Sequence, residues 1–276
     1  MRSALRRQSE LKQRIIAALA GVFVILSAII LSEWGYFFIF FLICMFSMLE
    51  FYKLLGLDGN LPLKSYGTFN GLFMFTLTFL VTKEIITHEY YLLLFLGMSV
   101  AYVIILYKKK SEKPFSSIAF TFLGIIYVGA PFSLLNLSIV IDGVYHYEII
   151  MGLLFILWSS DTGAYFAGKN FGKTPLFPRV SPKKTWEGSI GGALLALSMA
   201  LVFSYYYDVL EIWQWLSIAF IIVVAGTYGD LIESLFKRSI HIKDSGDSIP
   251  GHGGFLDRFD GLLIASPFIV VFINFF

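Results

Sequence analysis

The chain has 276 residues, of which 57% are hydrophobic and only 14% charged, with a formal net charge of +2. Soluble domains carry near a quarter charged residues, so this composition excludes an ordinary soluble fold. Several charge-free runs exceed the roughly 20 helical residues needed to cross a hydrocarbon core of about 30 Å. They are continuous rather than alternating, which argues against an outer-membrane barrel.

The reading is therefore an all-α, polytopic integral membrane protein. After a basic tail (Arg2, Arg6, Arg7, Lys12, Arg14), about nine spans are expected near 15–32, 34–52, 66–82, 90–107, 116–141, 148–168, 187–207, 212–236 and 261–276. No cleavable signal is expected, because the first apolar run is long and lacks a small-residue cleavage pattern. Cys44 is the only cysteine, which excludes disulfides within one chain. With nine spans, 20 of the 21 Lys and Arg residues fall on one side and only Lys83 on the other. The positive-inside rule then places the N-terminus and both charged, glycine-rich loops in the cytoplasm. The first five spans (1–147) carry little polar chemistry and read as scaffold; 148–276 reads as the catalytic region.

Three constellations can carry chemistry. The first is the segment 161–192. Asp161 lies inside the sixth span, and Ser181, Lys183 and Lys184 sit in a loop whose charge suits a polyphosphate, although basic residues at a membrane surface also attract lipid headgroups. Gly188 and Gly192 have the small-xxx-small spacing of a helix-packing face. A partial likeness to a P-loop at Gly168–Thr174 is rejected, since its glycine spacing is wrong and it follows a helix.

The second is the eighth span, where Asp230, Glu233, Ser234 and Lys237 share one helical face. For Glu233 the competing reading is an intrahelical pair with Lys237. An acidic residue at bilayer depth is costly and is retained when paired, solvated or bound to a cation. The third is the approach to the ninth span, where Asp257 and Asp260 stand one turn apart beside Arg258. Capping is a competing reading there. With Asp230 they suit a hard divalent cation that also takes substrate phosphates.

The run Ser234-x-Phe236-Lys237-Arg238-x4-Lys243-Asp244-x-Gly246-x2-Ile249-Pro250-x-His252-Gly253-Gly254-Phe255-x-Asp257-Arg258-Phe259-Asp260 resembles the complete signature of the phosphatidate cytidylyltransferase, or CDP-diacylglycerol synthase, family. Ser181-Pro182-Lys183-Lys184-Thr185 and Asp161-x-Gly163-Ala164-Tyr165 resemble it too.

The resemblance implies an enzyme of the cytoplasmic (inner) membrane, its site facing the cytoplasm. It would join CTP to phosphatidic acid with Mg²⁺, a second cation being left open. Among membrane lipids and nucleotides, no nucleic acid partner is expected; a homodimer is left open. It implies metal ligands Asp257, Asp230, Asp260 and Asp161. Catalytic roles fall on Asp230, Asp257, Lys237, Arg238, Lys243, Asp244 and Arg258, and substrate binding on Ser181, Lys183, Lys184, Ser234, His252, Gly253 and Gly254. The competing readings are a CTP-dependent lipid-alcohol kinase and, from another class, an ion-coupled transporter. The transporter would need paired broken helices in two corresponding halves, which the sequence lacks.

Overall fold

The computed structural model describes residues 19–57, 59, 61–108, 113–141, 143–242 and 253–276. Helices α1 (Leu19–Leu31), α2 (Glu33–Leu57) and α3 (Lys64–Thr82) come first. A 3-10 turn (His88–Tyr91) leads into α4 (Leu92–Tyr107). Helix α5 (Pro114–Gly124) passes through a π-helical turn (Ile125–Gly129) into α6 (Ala130–Leu135). Then follow α7 (Tyr147–Phe171), α8 (Trp186–Tyr206), α9 (Ile212–Ser239) and α10 (Leu256–Phe275).

A helix covers each of the nine expected stretches; residues 15–18 of the first lie outside the described residues. Among the described residues, six helices are long and apolar enough to cross a membrane: Glu33–Leu57, His88–Tyr107, Pro114–Ser138, Tyr147–Phe171, Trp186–Tyr206 and Ile212–Ser239. Their outer faces carry bare apolar side chains such as Phe95, Phe115 and Phe220, which water would penalise and lipid does not. This is a multi-pass membrane protein.

Among the described residues, two short antiparallel hairpins interrupt the helices. Strand β1 (Val140–Ile141) pairs with β2 (Val144–Tyr145), and β3 (Pro175–Phe177) pairs with β4 (Ser181–Thr185). The second hairpin was expected only as a loop. Its ends are tied by Glu187, whose carboxylate accepts from the backbone N–H groups of Lys173 at 3.1 Å and Thr174 at 3.1 Å.

Local signals set the helix starts. The Ser32 hydroxyl accepts from the Gly35 N–H at 2.9 Å, Pro114 opens α5, and the Thr185 hydroxyl accepts from the Gly188 N–H at 3.2 Å. Glu211 and Gln214 close a capping box on α9.

Packing relies on small residues. A Cβ at Gly163 would lie 2.6 Å from the Gly191 carbonyl oxygen, and one at Gly192 would lie 2.7 Å from the Ser160 carbonyl oxygen. Helices α7 and α8 therefore approach backbone to backbone, the packing face that Gly188 and Gly192 foretold. Gly152 makes room for the fully buried Trp215. In the N-terminal bundle, buried Asn136 accepts from the Tyr36 hydroxyl at 3.0 Å and donates to the Phe75 carbonyl at 2.9 Å and the Thr78 hydroxyl at 2.7 Å. Satisfying every polar atom in this way is what makes such a residue tolerable in an apolar bundle.

Candidate active site

One cavity of about 580 Å³ lies among α7, β4, α8, α9 and α10, near the C-terminal end of α9 and the N-terminal ends of α8 and α10. Asp161, Lys183, Lys184, Asp230, Glu233, Lys237, Asp257 and Asp260 all line it. Asp161 and Asp260, far apart in the chain, thus face one space because α7 and α8 close on glycines and α9 closes on α10 in the same way. At the second crossing a Cβ on Gly229 would lie 2.5 Å from the Asp260 carbonyl oxygen and 2.9 Å from the Gly261 Cα.

That close crossing sets Asp230 beside Asp260. With Glu233, one turn further along α9, they offer three carboxylate oxygens all within 4.8 Å of one another. Mutual repulsion at this spacing is relieved by a cation, and an all-oxygen donor set suits a hard divalent one. The group can hold a metal ion.

Two lysines hold the acidic cluster from either side. Lys184, at the end of β4, pairs with Asp230 at 2.5 Å. Lys237 sits between Glu233 and Asp257, 2.7 Å from each. Glu233 is only 1% exposed and Lys237 12%, so this bridge is a buried, charge-assisted one. The intrahelical Glu233–Lys237 pair weighed from the sequence is present, but it does not exhaust Glu233, which also belongs to the three-carboxylate group. Ser234 donates to Asp230 at 3.3 Å and so steadies that side chain rather than facing the cavity directly.

Asp257 is placed differently from its neighbours. One oxygen accepts from Lys237 and the other accepts from the Gly254 N–H at 3.1 Å. It lines the cavity but stands outside the three-carboxylate group, which takes Glu233 instead. Asp161 also lines the cavity outside that group.

Arg238 is exposed and donates to the Ile242 carbonyl at 3.1 Å; Arg258 is exposed too, and neither is among the lining residues. Ser181 begins β4 opposite Phe177, away from the lining. Lys243, Asp244 and His252 lie outside the described residues.

The sequence profile of the cytidylyltransferase family matches residues 12–276. The chain belongs to that family. A Haemophilus influenzae protein named phosphatidate cytidylyltransferase is 34% identical over 282 residues, covering 95% of this chain and 98% of its own length. A protein of the same name from Staphylococcus haemolyticus is 38% identical over 175 residues, 62% of this chain and 66% of its own length. One from Bacillus subtilis, also so named, is 40% identical over 163 residues, 58% of this chain and 60% of its own length.

One member of the three-carboxylate group was not among the expected metal ligands. Glu233 stood on the same helical face as Asp230, with the intrahelical pair to Lys237 as its competing reading, and was not named as a ligand. Tyr127, on the π-helical turn and outside the cavity lining, carries a buried hydroxyl with no hydrogen-bond partner among the described residues.

Proposed function

We propose that the chain is an Mg²⁺-dependent phosphatidate cytidylyltransferase, transferring CMP from CTP to phosphatidic acid to give CDP-diacylglycerol and pyrophosphate. One observation carries the reading. A three-carboxylate group and two lysines share one cavity among membrane helices, in a chain that aligns along 98% of a relative bearing that name.

The chemistry asks little acid–base work of the protein. A phosphate monoester has its second pKa near 6, so phosphatidate arrives as an oxyanion. Its oxygen bonds to the α-phosphorus of CTP as the bond to the bridging β-phosphate oxygen breaks, and the electron pair departs with pyrophosphate. The protein must bring two anions into line and offset their charge. Asp230, Glu233 and Asp260 would hold the Mg²⁺, which when bound neutralises phosphate oxygens.

Lys184 and Lys183 extend from β4 toward the triphosphate, while Lys237 is held in place by Asp257 and faces the reacting phosphates. Asp161 orients groups from the α7 side. Lys243, Asp244 and His252 take their roles from the signature they complete, as do Arg238 and Arg258. Charge asymmetry along the chain supports nine spans with the N-terminus and the site in the cytoplasm, in a bacterial inner membrane.

The test is pyrophosphate release by detergent-purified protein given CTP, Mg²⁺ and phosphatidic acid, with each omitted in turn. Release that requires all three is expected. Release without lipid would replace the reading with a nucleotide hydrolase, and CDP formed from CTP and a lipid alcohol would replace it with a kinase. No release with all three present would overturn it in favour of a transporter.

A further inference from the structure

Helix α2 belongs to the bundle that reads as scaffold, yet it grips both ends of the segment joining α9 to α10. Phe51 stacks on Phe236, the residue before Lys237, with ring centroids 5.2 Å apart. Phe46 stacks on Phe255 at 5.0 Å. Between them Glu50 accepts a hydrogen bond from the Leu256 N–H at 2.9 Å.

Glu50 is 5% exposed, and its other oxygen, Oε1, has no hydrogen-bond partner among the described residues. A carboxylate buried this way is costly, so packing alone does not account for it. Phe255, at the start of α10, provides no side-chain cap of its own, and the first N–H groups of a helix need partners. Glu50 supplies one from 206 residues away, with a negative charge at the positive end of the helix. Gly254 leaves the room for it: a Cβ there would lie 2.5 Å from Glu50 Oε2.

We propose that Glu50 is a positioning residue for the active centre, capping α10 in trans along the chain and so aiming the start of α10, which carries Asp257 and Asp260. The proposal rests on the reading of the Asp230–Asp260 cluster as the cation-holding centre. Groups that merely support metal ligands typically cost 10- to 100-fold in affinity or activity when removed.

The test uses full-length protein in detergent with Glu50→Gln, Glu50→Asp and Glu50→Ala. Two quantities are read: the Mg²⁺ concentration giving half-maximal pyrophosphate release, and the shift in melting temperature caused by Mg²⁺ without substrates. Glu50→Gln keeps an acceptor for the Leu256 N–H and stays within about threefold of the parent, the size of the charge–dipole contribution it gives up. Glu50→Asp keeps the charge but falls short of that N–H. It and Glu50→Ala raise the Mg²⁺ requirement by about tenfold or more and shrink the melting shift.

Should Glu50→Ala fail to fold, Glu50→Asp against Glu50→Gln decides the matter. Parent-like Mg²⁺ dependence in Glu50→Asp, or a loss in Glu50→Gln as large as in Glu50→Asp, overturns the proposal while the parent's activity stands. A parent protein that is neither active nor stabilised by Mg²⁺ overturns the reading of the centre, and this proposal with it.

Discussion

Replacing Gly229 by alanine puts a methyl group where α9 meets α10. Its Cβ would lie 2.5 Å from the Asp260 carbonyl oxygen, against 3.4 Å for ordinary contact, so the helices must part by about 0.9 Å. The obstructing atoms are backbone and cannot rotate aside. Asp230 is the next residue on one side and Asp260 owns the carbonyl on the other. The same displacement therefore spreads two of the three carboxylates that can hold a cation. Overpacking of this kind costs about 1–3 kcal/mol of stability. A misplacement of about 1 Å at a reacting centre costs on the order of 100-fold in rate. Gly229→Ala is thus expected to remain folded and monodisperse while pyrophosphate release falls about 100-fold. Gly56→Ala serves as the control for helix propensity, since a Cβ there meets nothing within 4 Å. It is expected to keep full activity and to gain up to about 1 kcal/mol. Parent-like turnover in Gly229→Ala, or equal damage in Gly56→Ala, would refute the argument that this crossing sets the site.

Four further outcomes follow from the geometry. Lys237→Met leaves buried Glu233 and its partner Asp257 without their shared cation; stability should fall by about 3–5 kcal/mol in a denaturant titration, with activity lost. Asp260→Asn and Glu233→Gln should each abolish the Mg²⁺-induced melting shift and cut turnover at least about 100-fold, matching the several kcal/mol a cation supplies. Lys184→Met removes the 2.5 Å pair with Asp230 and a cavity-lining positive charge, and should raise KM for CTP by about tenfold, the value of one charge-assisted hydrogen bond. Thr185→Ala deletes the α8 cap and should cost about 1 kcal/mol in thermal denaturation.

Much of this was legible in the linear chain, for definite reasons. The apolar runs had to become helices because hydrocarbon leaves no other partner for backbone groups. The spacing of Gly188 and Gly192 announced a close helix contact, and α7 and α8 do meet there. Asp230 was marked by the cost of an acidic residue at such depth, Asp257 and Asp260 by their spacing and the signature around them, and all three line the cavity. The β3–β4 hairpin was not legible, because its strands are short, charged and proline-containing and are fixed by Glu187 from the following helix.

Composition, charge distribution and motif spacing therefore determine a helical membrane protein with its polar chemistry gathered in the last 130 or so residues, since those properties depend on residues close together in sequence. The tertiary structure alone decides which carboxylates converge. Helical spacing puts Asp230 with Glu233 and Asp257 with Asp260, but the glycine crossing at Gly229 and Gly261 selects Asp260 for the group and leaves Asp257 to Lys237. It alone also brings Glu50 to α10. A contact across 206 residues depends on how two helices pack, and no local pattern records that.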